Sequence, residues 1–273
     1  MLKDITIGQY YPGESAVHRI DPRVKIILTT VYVVMLFIVN NIIGLAVGLF
    51  VVAVGYGVSK IPVRLLLKSL KPVLPIVLFT AVINIFFVEG AELIRGWVFK
   101  ITAQGLMLAA VMTVRILCLI AGTSLLTYTT SPIVLTDGLE RLMAPLKVIK
   151  LPVHELAMMM TIALRFIPTL IEETDMIMSA QKARGADMET GGLTKRAKAL
   201  IPILIPLFVS AFRRADELAL AMECRCYRGG EGRTRMKQLK LGMVDAVSLV
   251  FFALCLAAVI ILNIAVPSLY NIM

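Results

Sequence analysis

Five stretches of the chain, at about residues 24–40, 42–58, 73–88, 106–127 and 241–265, stay apolar over roughly the 17 to 25 residues that a helix needs to cross about 30 Å of hydrocarbon. Backbone polar groups buried in hydrocarbon must be paired within the chain, and at these lengths only helices do that. The expected fold is therefore all-α, a polytopic membrane protein with about five transmembrane helices. The third stretch is the shortest and begins with Pro72 and Pro75, so its limits are set by residues that cannot continue a helix ladder. A hydrophobic content of 59% and a mean hydropathy of +0.87 exceed what a soluble core requires. Residues 1–21 mix Lys3, Asp4, Glu14, His18 and Arg19 and lack the basic-then-apolar order of a cleavable leader.

The cations mark sides. Lys3, Arg19, Arg23 and Lys25 gather at the first stretch, Lys60, Arg64, Lys68 and Lys71 lie between the second and third, and a dense set lies between the fourth and fifth. By the positive-inside rule these regions face the cytoplasm, which puts the N-terminus inside and the C-terminus outside a multi-pass protein of the cell membrane. The net charge of +10 is then explained by topology and by anionic lipid heads, and no nucleic acid is expected as a partner. Cys118 and Cys255 fall inside apolar stretches, while Cys224 and Cys226 fall in a region where thiols stay reduced, so no disulfide framework is implied.

Chemistry should lie in the long insert. The chain divides on this reading into 1–128 with four transmembrane helices, 129–240 with a cytoplasmic three-helix region, and 241–273 with the last span. Ser131 and Pro132 read as an N-cap and first helical residue of an interfacial helix over 131–150, with Leu139, Leu142, Met143 and Leu146 as its apolar stripe. A second helix is expected over 153–186, roughly 50 Å at 1.5 Å per residue, with a kink near Pro168. After a turn at 187–194, a third runs over 195–227, kinked or interrupted by Pro202 and Pro206. Their seams are Met160, Leu164, Ile167, Ile171, Thr174 and Met178 on one, and Leu204, Phe208, Ala211, Phe212, Ala215, Leu218 and Met222 on the other. Glu172, Glu173, Asp175, Arg213, Arg214, Asp216 and Glu217 are expected to face water or a partner.

Each long helix ends on an arginine. The second finishes in Ala183-Arg184-Gly185 and the third in Cys224-Arg225-Cys226. Aligned on those arginines, the helices share Asp175 with Asp216 and Ala180 with Ala221. A cation in a last turn is favoured by the helix dipole at about 0.3 to 1 kcal/mol, so end-capping alone is the plain reading of either one.

Taken with the segment Tyr11-Pro12-Gly13-Glu14-Ser15 and His18-Arg19-Ile20-Asp21-Pro22-Arg23 before the first span, the two tips make the chain resemble, over nearly its whole length, the transmembrane T component of energy-coupling factor (ECF) importers. Ala183-Arg184-Gly185 matches that family's first tip motif as written; Cys224-Arg225-Cys226 keeps only the central arginine. The resemblance implies a subunit that joins two ABC-type ATPases, a hetero- or homodimer, to a substrate-binding S component for uptake of vitamins or other micronutrients. Ala183, Arg184, Gly185, Cys224, Arg225 and Cys226 would engage the ATPases. It implies no catalytic site and no cofactor.

Other chemistry is excluded by missing parts. No Gly-x-x-x-x-Gly-Lys-Ser/Thr is present, so ATP hydrolysis would belong to a partner. Gly229-Gly230-Glu231-Gly232 lacks a strand before it and a lysine after it, and reads as a stop to the third helix. His18 and His154 stand alone, and Cys224 with Cys226 fall short of the four ligands of structural zinc, so no metal site is expected. Arg115, inside the fourth stretch, is an intramembrane charge that either pairs to hold the bundle or serves function. The alternatives are the T component of a dedicated cobalt or nickel importer, or a self-contained membrane transporter; the latter would spread charges over several spans. A membrane-embedded enzyme would need converging acids, bases or a metal.

Overall fold

The computed structural model describes residues 10–87, 92–95, 100–186, 192–230 and 239–265, with backbone alone at 92–95, 100, 101, 193 and 195–197. It is helical as expected. In order, the helices are α1 (Ala16–Arg19), α2 (Pro22–Ile38), α3 (Ile42–Ser59), α4 (Val63–Leu70), α5 (Leu74–Phe87), α6 (Ala103–Thr129), α7 (Pro132–Leu142), α8 (Val153–Ala183), α9 (Leu193–Cys224) and α10 (Met243–Ala265). A 3-10 turn at Lys71–Val73 joins α4 to α5, and one at Ala144–Ile149 precedes α8. Between α5 and α6 a two-stranded antiparallel ribbon pairs β1 (Glu92–Arg95) with β2 (Lys100–Thr102). The turn at 187–194 and the Glu231-Gly232 stop lie partly or wholly outside the described residues, as does most of the connection 89–100.

Among the described residues five helical segments are long and apolar enough to cross a membrane: Ile42–Ser59, Val63–Phe87, Ala103–Thr129, Val153–Ala183 and Met243–Ala265. The set differs from the sequence reading at two places. With 17 residues and about 26 Å, α2 stands at the lower limit of the length that crosses the hydrocarbon layer and is not among these five. In contrast, α8 qualifies, at a mean hydropathy of 1.3. Its charges gather at Glu172, Glu173, Asp175 and Lys182, which leaves the first half with only Glu155 and Arg165.

The chain divides into two compact units, Gly8–Gly138 with Gln238–Met273, and Met1–Ile7 with Leu139–Lys237. The division falls inside α7. In the first unit α2, α3, α6 and α10 share one core built on Tyr32, Met35, Leu36, Val52, Cys118, Ala121 and Val259. Tyr32 is its centre. Its hydroxyl donates to Gly48 O at 3.2 Å on α3 and to Cys118 O at 3.3 Å on α6, so a polar tip buried in an apolar core is satisfied from two helices. The ring packs so close to α6 that a β-carbon at Gly122 would overlap Tyr32 Cε1.

Both ends of this unit are tied by polar groups. At one end Asp245 accepts from Asp21 N at 2.8 Å and from Gly242 N at 2.6 Å, closing the first turn of α10 and fastening it to the start of α2. Beside it Lys25 Nζ donates to Thr129 O at 2.9 Å and Thr130 Oγ1 at 3.1 Å, where the carbonyls at the end of α6 lack helical partners. At the other end Asn263 Nδ2 donates to Ile38 O at 2.7 Å and Asn41 Nδ2 to Leu262 O at 2.9 Å. Each tie answers an orphan group at a helix end.

The interfacial helix expected over 131–150 is shorter than its pattern. α7 stops at Leu142 because Pro145 has no N–H to continue the ladder, and the 3-10 turn that follows is closed by Lys150 at φ 59°. α8 and α9, by contrast, remain helical through Pro168, Pro202 and Pro206.

Replacing Gly122 by valine is expected to lower the stability of the detergent-solubilised chain by about 1–3 kcal/mol, because the added atoms overlap the Tyr32 ring. Valine at Gly57, where nothing lies within 4 Å, is the control. Thermal unfolding followed by circular dichroism should separate the two.

Candidate functional site

The unit containing α8 and α9 holds both arginine tips. α8 has 31 residues and α9 has 32, so each rod is roughly 45–50 Å long. They lie antiparallel. Arg214 Nη2 of α9 donates to Glu173 Oε2 of α8 at 2.8 Å, and Gln181 Nε2 of α8 donates to Pro202 O of α9 at 3.3 Å, so residues late in α8 meet residues early in α9. Arg184 stands eleven residues beyond Glu173, and Arg225 eleven beyond Arg214. The ion pair thus marks the midpoint of a locally two-fold arrangement, and the arginine tips point away from each other on the order of 30 Å apart.

The two tips have the same backbone construction. At the end of α8, Gly185 N donates to Lys182 O at 3.0 Å and Ala186 N to Gln181 O at 3.0 Å. At the end of α9, Cys226 N donates to Glu223 O at 2.8 Å and Tyr227 N to Met222 O at 3.0 Å. These are matching Schellman closures, each satisfying two carbonyls left over at a helix end. Arg184 (φ −83°, ψ 3°) and Arg225 (φ −92°, ψ 13°) are the two C-cap residues. Each is followed by a residue in the left-handed region, Gly185 at φ 86° and Cys226 at φ 56°. Side by side in sequence, Ala-Arg-Gly and Cys-Arg-Cys share one residue; in the backbone they share every position.

Chemically, each tip presents an exposed guanidinium. Arg184, Arg225, Cys224 and Cys226 are exposed, and among the described residues neither arginine side chain meets a carboxylate or carbonyl. A fork of five N–H donors on a fixed backbone suits a directional contact with carbonyls or carboxylates of a second protein. The second tip is also braced from behind. The chain beyond it passes so close to the start of α8 that a β-carbon at Gly230 would meet His154 Cδ2 at 2.6 Å, and His154 Nδ1 shares a 3.0 Å contact with Glu140 Oε1.

The α8 seam expected from sequence, from Met160 to Met178, is half-buried. The α9 seam is corrected. Leu204, Phe208 and Phe212 are 45%, 61% and 67% exposed, and the face turned inward runs through Ile203, Leu207, Ala211, Arg214 and Leu218. α9 is apolar on two adjoining faces, so periodicity alone had no means of choosing; the ion pair of Arg214 with Glu173, both expected to face water or a partner, decides it. What remains outside is a row of Ile201, Leu204, Ile205, Phe208, Val209 and Phe212, with the two phenyl rings stacked at 6.5 Å.

Arg115 is separate from this unit. Its Nη2 donates to Val39 O at the C-cap of α2, while its Nε, buried, has no partner among the described residues. That contact joins α6 to the end of α2. Among the described residues no group of three or more His, Cys, Asp or Glu side chains is placed to hold a metal ion.

Comparison with known proteins agrees over most of the length. The CbiQ family, described as cobalt transport protein, matches residues 13–237. The energy-coupling factor transporter transmembrane protein EcfT of Clostridium kluyveri is 57% identical over 250 residues, covering 91% of this chain and 93% of that one. The protein of the same name from Ruminiclostridium cellulolyticum is 57% identical over 246 residues, covering 90% and 92%. That of Bacillus subtilis is 50% identical over 241 residues, covering 88% and 91%.

The matching caps carry opposite conformational costs. Gly185→Ala should weaken the α8 closure by about 1 kcal/mol, and Cys226→Gly should tighten the α9 closure by a similar amount, since a β-carbon is disfavoured at positive φ. Amide hydrogen exchange should therefore speed up roughly fivefold around residues 183–186 in the first variant and slow around 224–227 in the second. Unchanged exchange in both would mean that these closures do not hold the tips.

Proposed function

Since this chain belongs to the CbiQ family and is the transmembrane T component of an energy-coupling factor transporter, we propose that it carries ATP-driven motion from two cytoplasmic ATPase subunits to a substrate-binding S component, with Arg184 and Arg225 as the two points of entry. The observation that carries this reading is the pair of identical caps at opposite ends of one antiparallel hairpin. Two subunits related by a two-fold axis present two equal sites. A lever with equal arms on either side of the Glu173–Arg214 pair meets both with one chemistry.

On this reading Ala183 and Cys224 are the last helical residues, the arginines make the contact, and Gly185 and Cys226 turn the chain so that the guanidinium is the outermost group. The apolar row on α9 from Ile201 to Phe212 is the platform for the S component, since an exposed run of large apolar side chains is an interface by default. The transported nutrient is selected by that partner. Charge placement supports the orientation: Lys25, Lys60, Arg64 and Lys68 lie toward the end of their unit where α6 finishes, and Asn41 and Asn263 tie the opposite end, so the first would be cytoplasmic.

Arg184→Glu together with Arg225→Glu is expected to leave membrane insertion intact while abolishing co-purification with the ATPase pair and uptake with it. The lysine pair should retain partial binding, because an ammonium keeps the charge but not the fork. Wild-type complex yield and transport from the glutamate variant would sink the assignment.

A further inference from the structure

The short helix α4, the N-terminal part of the span-competent segment Val63–Phe87, presents three distinct faces. Inward, Leu66 packs against the core and Ser69 Oγ meets Tyr128 OH at 2.8 Å, while that same hydroxyl donates to Leu65 O at 3.0 Å. A second face is apolar but exposed: Val63 at 65%, Leu67 at 61% and, at the first residue of α5, Leu74 at 52%. The third is basic and exposed, with Arg64, Lys68 and Lys71 spaced four and three. The basic row is offset from the apolar one by a single residue, about 100° around the axis. Lys60, exposed, adds a fourth cation just ahead of the helix.

Among the described residues these cations have no acid to answer them. Among the described residues none of the four makes an ion pair or hydrogen bond through its side chain, and the sequence holds no Asp or Glu between Asp21 and Glu89. A helix standing in water would not leave Val63, Leu67 and Leu74 uncovered, and a helix sunk in hydrocarbon would not carry three cations on one side. Only the boundary between acyl chains and head groups satisfies both rows at once. A docked acidic protein would answer the charges but leave the apolar row next to it in contact with lipid or water, unexplained.

We propose that Arg64, Lys68 and Lys71, with Lys60, form a binding surface for the phosphate of anionic phospholipid head groups, with Val63, Leu67 and Leu74 seated among the acyl chains beside it. The site is distinct from the arginine tips and does not depend on their role. It would hold the α3–α5 connection at a fixed depth, because the apolar and basic rows each resist displacement in one direction.

The full-length chain reconstituted in phosphatidylcholine vesicles, with spin-labelled phosphatidylglycerol or phosphatidylcholine as probe, tests this by electron spin resonance. The ratio of motionally restricted phosphatidylglycerol to phosphatidylcholine should be about fivefold at low salt and fall as salt rises. In Arg64→Gln/Lys68→Gln/Lys71→Gln it should drop by at least about twofold, other cations of the chain supplying the remainder. The charge-preserving Arg64→Lys/Lys68→Arg/Lys71→Arg protein should keep the wild-type ratio, which separates charge from folding. A wild-type chain without preference, a glutamine variant with the full preference, or a charge-preserving variant that loses it would each overturn the proposal. A glutamine variant that keeps its lipid preference but loses ATPase subunits on purification would also overturn it, and would assign the patch to a protein partner.

Discussion

A helix cannot end for free. Its last four carbonyls have no partner within the helix, and how each end satisfies them fixes where the neighbouring side chains stand. At α8 and α9 the solution is the same: two backspanning N–H bonds, one left-handed residue, and an arginine at the C-cap. The guanidinium stands at the extreme of the rod because the closure puts the C-cap there, and the dipole of the helix favours a cation in that place. In the other unit the same demand is met differently. Lys25 reaches across to the end of α6, and Asn263 and Asn41 exchange bonds with the ends of α2 and α10. There the orphan carbonyls become ties between helices; at the tips they are closed internally, which leaves the side chains free for another molecule.

That difference explains which parts of the architecture could be read directly from residues. The apolar stretches, the all-helical class and the two arginine ends are one-dimensional signals: run length, hydropathy and the residue at a helix stop. Long runs from Ile42 to Ser59 and from Met243 to Ala265 admit only one reading. α8 was harder, because its charges gather in its second half and the average over the whole segment hides an apolar first half. The Cys-Arg-Cys tip looked like a departure from Ala-Arg-Gly, since residue identity was the only comparison available. Cys226 adopts the left-handed conformation that glycine takes more cheaply, so the equivalence lies in φ, and φ is not written in the side chain.

The α9 face is the clearest case of information absent from a single sequence. Both faces of that helix are apolar, and hydrophobic periodicity selects a face only when the other is polar. Arg214 sits on the packing face because Glu173 meets it there, and such a pairing is invisible until two helices are placed side by side. The pair is partly exposed, with Arg214 at 34% and Glu173 at 15%, so its worth to stability is on the order of 1 kcal/mol or less. Register rather than strength is what it supplies.

Register matters because a lever transmits displacement only as faithfully as its pivot is placed. On the proposed reading, with the pivot eleven residues from each tip, equal movements of two docked subunits would turn the hairpin without sliding one helix along the other. Unequal arms would convert the same input partly into sliding, against the apolar seam. The bracing of the α9 end by His154 and Glu140 couples the chain beyond Arg225 to the first turn of α8, and on the proposed reading would keep a pull on that tip from bending the loop behind it. The hairpin's mechanical quality thus rests on weak contacts at chosen positions, and stiffness along each rod comes from the backbone ladder alone.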